Sequence, residues 1–497
     1  MQFRHKRRSE ERTREGCAEH TARIAIVRQD AASYAEKSPF YPPRIYPEYP
    51  FKSDPVDSDN LAYPLVREMM YLLQMDRHKF GTSNWNPLRS FIRPGENVLV
   101  KPNLAYDSVD PICTTTHGSI IRVLIDYVWM ALEGRGKITV GDAPQENANF
   151  DLTVNLTGLL TLQEYYRSKG ISVELVDLRS FISERKFRRR ERRENGPSYK
   201  TIDLGENSYL QDASIDFNRF YGAYWDRRVV KTYHSSGRHR YTIPKAVLDA
   251  DVILMVPKMK THKKTGVTLS LKNAVGIIND KNCLPHYRIG WPPFGDEHQS
   301  PRCFVEKLSF LLSGKLKDFT PVHFGTFGKV AHQRIGYLPL FLRKTSPNSI
   351  DSGDWYGNDT LWRGILDVNR VLLYSDKNGS LQSEQQRRYF SVVDGIVAGE
   401  KEGPLQPTAK LCSVILGGFN GAILDAVCTS LMGFDFNLFP LTKNALKDSA
   451  LNKFGDQVEI VTNVPEWTKL PIPQHYSLKF RLPEGWRALE KRKYGQS

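Results

Sequence analysis

The sequence predicts an α/β protein with mainly parallel sheets and flanking helices, two lobes with a cleft, and an irregular β-rich insert. Short apolar strands alternate with helix-length amphipathic stretches, the pattern of a sheet covered by helices. The 497 residues, 40% hydrophobic and 11% aromatic, are enough for a real core. No apolar run reaches the roughly 18 residues that a membrane-spanning helix needs.

Ala22–Arg28 reads as a first buried strand, and the proline-rich passage Pro39–Pro55 as a surface wrap, since prolines at that density continue neither helix nor central strand. Leu61–Met75 has helical spacing. Strand Asn97–Lys101, helix Ser119–Leu132 and strand Lys137–Gly141 form a strand–helix–strand unit, which repeats through a helix over Thr157–Lys169 and a strand over Ile171–Val176. The rhythm breaks over 179–240, the β-rich insert. It resumes with a short helix Pro244–Leu248 and the buried strand Asp251–Val256. One helix near Phe304–Leu312 lies in an irregular stretch, and Leu361–Leu373 is a further helix. The last stretch has strands Tyr389–Asp394 and Leu411–Leu416, a tight turn at Gly417-Gly418 and a helix Gly421–Met432. The expected division is 1–60 as N-terminal strand and wrap, 61–178 as first lobe, 179–240 as basic insert, 241–388 as second lobe, and 389–497 packing back on the body.

The six cysteines form no C-x-x-C and no zinc-finger spacing with histidine, so no iron–sulfur cluster is expected and the usage suits a reducing compartment. Met1–His20 is charged throughout and lacks a secretory core, which points to a cytoplasmic protein. The formal charge of +15 suggests anionic partners. It concentrates at Arg4–Arg8, Arg185–Arg193, Arg227–Lys245 and Lys258–Lys264. The second cluster is expected to be exposed, mobile and remote from any cleft, because its like charges repel. No G-x-G-x-x-G follows the first strand, and no P-loop, H-E-x-x-H or G-x-S-x-G occurs, which argues against the enzyme classes that use them.

The densest polar segment runs from Lys258 to His286, at the carboxyl end of strand Asp251–Val256, where α/β folds collect their ligands. Lys258 and Lys260, with Thr268 and Asn273, suit a carboxylate or phosphate, while His262, Lys272 and His286 are candidate catalytic groups. The alternative is a solvated basic loop. Lys101, Asn103, His117 and Asp142 are further candidates for binding substrate. His117 either binds an anion at a helix start or caps that helix. Asp142 is an acid/base group, a metal ligand or a turn residue. Pro285–Arg288 and Gly295–His298 read as a lid or as solvated loop, and Asp394 and Asp425 either line the cleft or cap elements.

The run Val256-Pro257-Lys258-Met259-Lys260-Thr261-His262-Lys263-Lys264-Thr265-Gly266, continuing to Gly276, resembles the signature segment of the family catalogued as domain of unknown function 362. Val100-Lys101-Pro102-Asn103-Leu104, Thr115-Thr116-His117, Val140-Gly141-Asp142-Ala143-Pro144, Val393-Asp394-Gly395-Ile396, Glu402-Gly403-Pro404 and Asp425-Ala426-Val427 extend it from about Lys101 to Gly433. The chain lacks the cysteine-rich ferredoxin part of many relatives. The spacing of His262, Gly266, Lys272 and Gly276 is also similar to a segment of nickel-pincer lactate racemases. That resemblance implies His262 as acid/base, Lys272 as covalent holder of a pincer nucleotide, and His286, slightly displaced, near the place of a nickel ligand.

Three functional readings follow. The first is an enzyme, racemase- or epimerase-like, moving a proton on a small anionic hydroxy-acid or sugar-like substrate, with His262 as base and His286 or His117 as second proton carrier. The second is a polyanion- or nucleic-acid-binding protein, and the third a non-catalytic assembly protein. Nucleic acid fits less well, because the basic clusters lack interleaved aromatics and match no groove-reading motif.

Overall fold

The structure, a computed structural model, describes residues 21–107, 112–183, 190–223, 226–324, 351–455 and 457–490. Strands β1 (Ala22–Arg28), β2 (Asn97–Pro102), β3 (Lys137–Asp142) and β4 (Val173–Asp177) come first along the chain. Short strands follow: β5 (Phe181–Ser183), β6 (Arg190–Arg192), β7 (Tyr199–Asp203), β8 (Phe220–Tyr221), β9 (His234–Ser235) and β10 (Arg238–Pro244). The remainder are β11 (Val252–Val256), β12 (Lys258–His262), β13 (Gly266–Thr268), β14 (Tyr287–Arg288), β15 (Arg388–Glu400), β16 (Thr408–Gly418) and β17 (Val458–Thr462).

One ten-stranded sheet dominates, in the order β17-β1-β16-β15-β11-β2-β3-β4, with β12 on β15 and β13 on β12. It is mainly parallel; β16 and β13 make the antiparallel pairings. Strands of the three expected segments, β2 to β4, β11 to β13, and β15 to β16, are hydrogen-bonded in this one sheet. The insert supplies small antiparallel sheets, β7-β10-β9 and β5-β6, while β8 pairs with β14.

Both faces of the sheet are buried, as its apolar strands require. In β11, Val252, Leu254 and Val256 join the core under helices Ala62–Leu72 and Gly118–Leu132, while Ile253 and Met255 join a second core with helix Leu361–Tyr374. Val98 and Val100 part from Leu99 in the same way on β2, the period-two alternation of a strand between two layers. The proline-rich passage forms no strand or helix and lays Phe40, Tyr46 and Tyr49 onto the body as buried side chains.

Several expectations need correction. The helix expected over Thr157–Lys169 is Leu159–Ser168, and a further helix not expected, Phe150–Leu156, precedes it across Gly158. Gly158 has φ +72°, and a Cβ there would meet the Phe40 ring at 2.6 Å. The helix at Phe304 runs on to Phe324. Gly417-Gly418 is no turn but part of β16. Their missing side chains admit Met69 and Ile24, whose atoms would lie 2.3 and 2.4 Å from a Cβ. Of the arginine cluster, 184–189 lie outside the described residues. Its described end is not free: Arg190 pairs with Glu146 and Asp280, and Arg193 with Asp177.

Strand β15 ties the parts together. Arg388–Ser391 pair with β11, Asp394 and Gly399 with β12, and the opposite edge with β16. A fragment starting at Tyr389 lacks β1, β11 and β12, and its apolar strand faces would be bare. It should show no cooperative unfolding transition in urea followed by circular dichroism; a sigmoidal transition would refute its dependence on the rest of the sheet.

Candidate functional site

At Val256, level with Pro102 on β2, the ladder between β11 and β2 ends. The chain passes Pro257 and continues as β12 along β15, leaving the carboxyl ends of β2 and β3 behind. A cavity of about 740 Å³ lies between those ends and the β12–β13 hairpin. Crevices at the carboxyl ends of parallel strands are where α/β folds bind ligands.

The segment expected as a loop is therefore a buried strand. Its Lys-Met-Lys-Thr-His order alternates: Lys258, Lys260 and His262 share one face of β12, and Met259 on the other face packs into the core with Val414 and Cys412. After His262 the chain turns, and His262 Nδ1 accepts hydrogen bonds from the N–H groups of Lys264 at 3.0 Å and Thr265 at 3.3 Å. Gly266 closes the hairpin at φ +81°, where a Cβ would strike the Phe439 ring.

Beyond β13 a single helical turn, Ser270–Asn273, carries Lys272 and Asn273. Asp425 starts that turn by accepting from Ser270 N at 2.8 Å and Leu271 N at 2.9 Å. Its carboxyl is pushed up to about 7 by burial. Asn273 clamps β2 with both ends of its amide: Oδ1 accepts from Lys101 Nζ at 3.0 Å, and Nδ2 donates to the Lys101 carbonyl at 3.1 Å. Lys101 Nζ is also 2.7 Å from Asp142 Oδ1, while Asp142 Oδ2 accepts from Leu104 N at 2.6 Å. The backbone at Gly276 packs onto this pair so closely that a Cβ would sit 1.9 Å from Asp142 Oδ1. Gly276 is needed for that approach.

Of the residues expected to form the site, His262, Lys272, His286, Lys260, Thr268, Asn273, Lys101, Asn103 and Asp142 line the cavity. Lys258 and His117 do not. Lys258 Nζ lies 3.0 Å from Asp394 Oδ2 and 2.9 Å from the Tyr34 hydroxyl. His117 stacks on Tyr34 with ring centroids 4.0 Å apart, and its N–H donates to Asp394. His117 Nδ1 caps the helix Gly118–Leu132 by accepting from Ser119 N at 3.1 Å. These two expected substrate-binding residues thus lie in a buried cluster outside the cavity lining, and Asp394 and Asp425 hold elements in place. Asp296, Glu297 and His298 are buried, not a solvated loop. Glu297, His298 and Asp351 bring three ligand-type atoms within 4.8 Å of one another, but Glu297 is already paired with the Lys317 ammonium.

Charge is unevenly matched around the cavity. Asp142 is paired with Lys101, Glu402 with Lys263, Asp354 with Lys264, and Glu146 with Arg190. Lys260, Lys272 and Lys281 have no carboxylate partner among the described residues. Lys260 donates to the Thr114 carbonyl and Lys281 to that of Val275 at 2.8 Å, whereas Lys272 Nζ has no hydrogen-bond partner there. Burial pushes Lys260 and Lys281 down to about 7 and Lys272 to about 8. Neighbouring ammonium groups add to the effect, Lys272 on Lys260 and Lys101 on Lys272. Lys281 was part of the polar segment in the sequence but did not stand out from it.

The two histidines that line this space are in opposite tautomers. Because His262 Nδ1 accepts two N–H bonds, the neutral ring carries its proton on Nε2. His286 Nδ1 donates to the Leu284 carbonyl at 2.8 Å, so its Nε2 holds a lone pair. Burial and nearby lysines push His286 down to about 3 and His262 well below the usual imidazole range, which keeps both neutral.

Residues 201–430 match the family model described as Domain of unknown function (DUF362). The DUF362 match takes in β11 to β13, the turn with Lys272 and most of the C-terminal motifs. The β2 and β3 motifs with Lys101 and Asp142 lie outside it, so the resemblance read from the sequence reached further than the matched residues. No curated protein matches the chain. No helix among the described residues is long and apolar enough to cross a membrane.

The two lysines of β12 and the adjacent turn separate structure from site. Lys258→Ala strands the Asp394 carboxylate and should cost about 3–5 kcal/mol in urea unfolding. Lys272→Ala removes a side chain without a partner and should cost less than about 1 kcal/mol. Equal losses would refute the distinction.

Proposed function

We propose that the cavity binds a small anionic substrate, a hydroxy acid or sugar-like acid, and moves a proton on it. The observation that carries this reading is the set of three lysines without carboxylate partners in one cavity with two neutral histidines of opposite tautomer. Buried ammonium groups are costly unless paired, and a substrate anion supplies the missing charge. His286 Nε2, with its lone pair, is the general base. His262 Nε2–H is a hydrogen-bond donor to the oxygen on which charge develops, which reverses the roles expected from sequence.

A covalent group on Lys272 is a second reading, favoured by its unpartnered amine and its pKa of about 8. It follows the spacing shared with nickel-pincer lactate racemases. A pincer nucleotide there would be anchored by Lys272, in the cavity that His286 also lines, and would supply an acceptor for the hydride leaving the substrate carbon. Intact mass of protein from its native host distinguishes a modified Lys272 from a free one. Surface binding of a nucleic acid has less support: Lys258 and Lys260 are buried, and Arg227, Arg228, Arg240 and Lys245 are each paired with an aspartate.

Solvent deuterium exchange at the α-carbon of a panel of hydroxy and sugar acids, read by NMR, tests proton transfer. His286→Gln should lower exchange by at least about a hundredfold and His262→Gln by about tenfold. Retention of full exchange in His286→Gln would end the assignment. Anion binding prefers charged lysines and so raises their pKa values above those of the free protein. Affinity should therefore be full below about pH 7 and fall as pH rises through and beyond 8, with proton uptake on binding near pH 8. Calorimetry in buffers of different ionisation heat measures that uptake; affinity that rises with pH would contradict it.

A further inference from the structure

We infer that the anion carries a phosphate group, held by Lys260, Lys272 and the hydroxyl of Thr268. This deepens the proposed function and rests on it for the place of the ligand. Thr268 lies opposite Lys260 across the β12–β13 pairing, so both side chains leave the same face of the hairpin. Thr268 is 3% exposed, lines the cavity, and its Oγ1 has no hydrogen-bond partner among the described residues. Buried hydroxyls without a partner are rare in folded proteins, and one facing a cavity of unpaired cations points to a ligand oxygen.

The donor set selects the kind of anion. Among the described residues no arginine lines the cavity, so the planar two-pronged fork that matches a carboxylate is missing from that set. The donors are instead ammonium groups and a hydroxyl, which approach from several directions. Among the described residues Lys260 spends one of its three N–H groups on the Thr114 carbonyl, and Lys272 spends none. A tetrahedral group with three terminal oxygens and nearly two negative charges at neutral pH can engage all of these donors. A single carboxylate, with one charge and two oxygens in a plane, leaves part of the set unused. The carboxylates around the cavity are already matched by Lys101, Arg190, Lys263 and Lys264, so the leftover charge belongs to the ligand.

The full-length protein is titrated by calorimetry with inorganic phosphate, glycerol 3-phosphate, malate and glycerate. Glycerol 3-phosphate should bind at least about tenfold more tightly than malate, which carries the same charge on carboxylates alone. Thr268→Val should weaken glycerol 3-phosphate about tenfold, and Thr268→Ser should restore it, which separates loss of the hydroxyl from loss of fold. Lys260→Met and Lys272→Met should each weaken it by more than about tenfold. Malate binding as tightly as glycerol 3-phosphate would overturn the phosphate assignment while leaving the acid–base reading standing. Unaltered affinity in Thr268→Val would overturn the part given to Thr268. Binding of none of the four anions would sink both readings.

Discussion

The bridge from Asp142 through Lys101 to Asn273 is the contact on which the rest of this architecture depends. It joins the carboxyl ends of β2 and β3 to the helical turn that carries Lys272, at a point where no backbone ladder connects them. Burial pushes the Lys101 ammonium down, and the Asp142 carboxylate opposes that shift, so each group makes the other tolerable inside the protein. Breaking such a pair by removing one partner typically costs about 3–5 kcal/mol. The backbone at Gly276 lies directly against the pair and closes the cavity wall behind it.

Around that bridge the protein holds charge in two ways. The cluster of Lys258, Asp394, Tyr34 and His117 is complete: every polar group named there meets another, and the cluster holds β12 and β15 in register. The cavity is incomplete in the same sense, because Lys260, Lys272 and Lys281 lack counter-charges. Three neighbouring cations raise one another's energy, and a protein gains nothing from this in the empty state. On the proposed reading an anion would offset this repulsion, the cost of gathering the cations having been met during folding.

Much of this was legible in the sequence, and what was not has a physical reason. Apolar runs such as Val252–Val256 announce buried strands because nothing else buries every residue in so short a stretch. Lys258–His262 was harder: charged residues normally mark solvated chain, yet alternation with Met259 already spelled a strand with one polar face. Its lysines are buried because Asp394 and the Thr114 carbonyl lie over them, and both come from distant parts of the chain. Tyr34 could not have been found, since nothing local distinguishes it from the other tyrosines of the wrap. The tautomers of His262 and His286 were not legible because a tautomer is set by backbone groups, here those of Lys264, Thr265 and Leu284, that only the folded chain brings into range. Lys281, part of the polar segment, did not stand out from the lysines near it. The glycines at 417 and 418 looked like a turn when they are clearance for Met69 and Ile24.

Strand β15 serves as a backbone member of the core and as the outer support of the hairpin that walls the cavity. Its register shifts between Gly395 and Val397, and that of β12 between Lys258 and Lys260, so both ladders slip at nearly the same level. Bulges of this sort bend a strand and re-aim its side chains. These shifts lie beside the hairpin that walls the cavity, and the stretch of β15 before them is held by Phe390 and Val392 in the core. A substitution at Phe390 or Val392 would therefore bear at once on the packing of the core and on the strand that supports the hairpin beside the cavity.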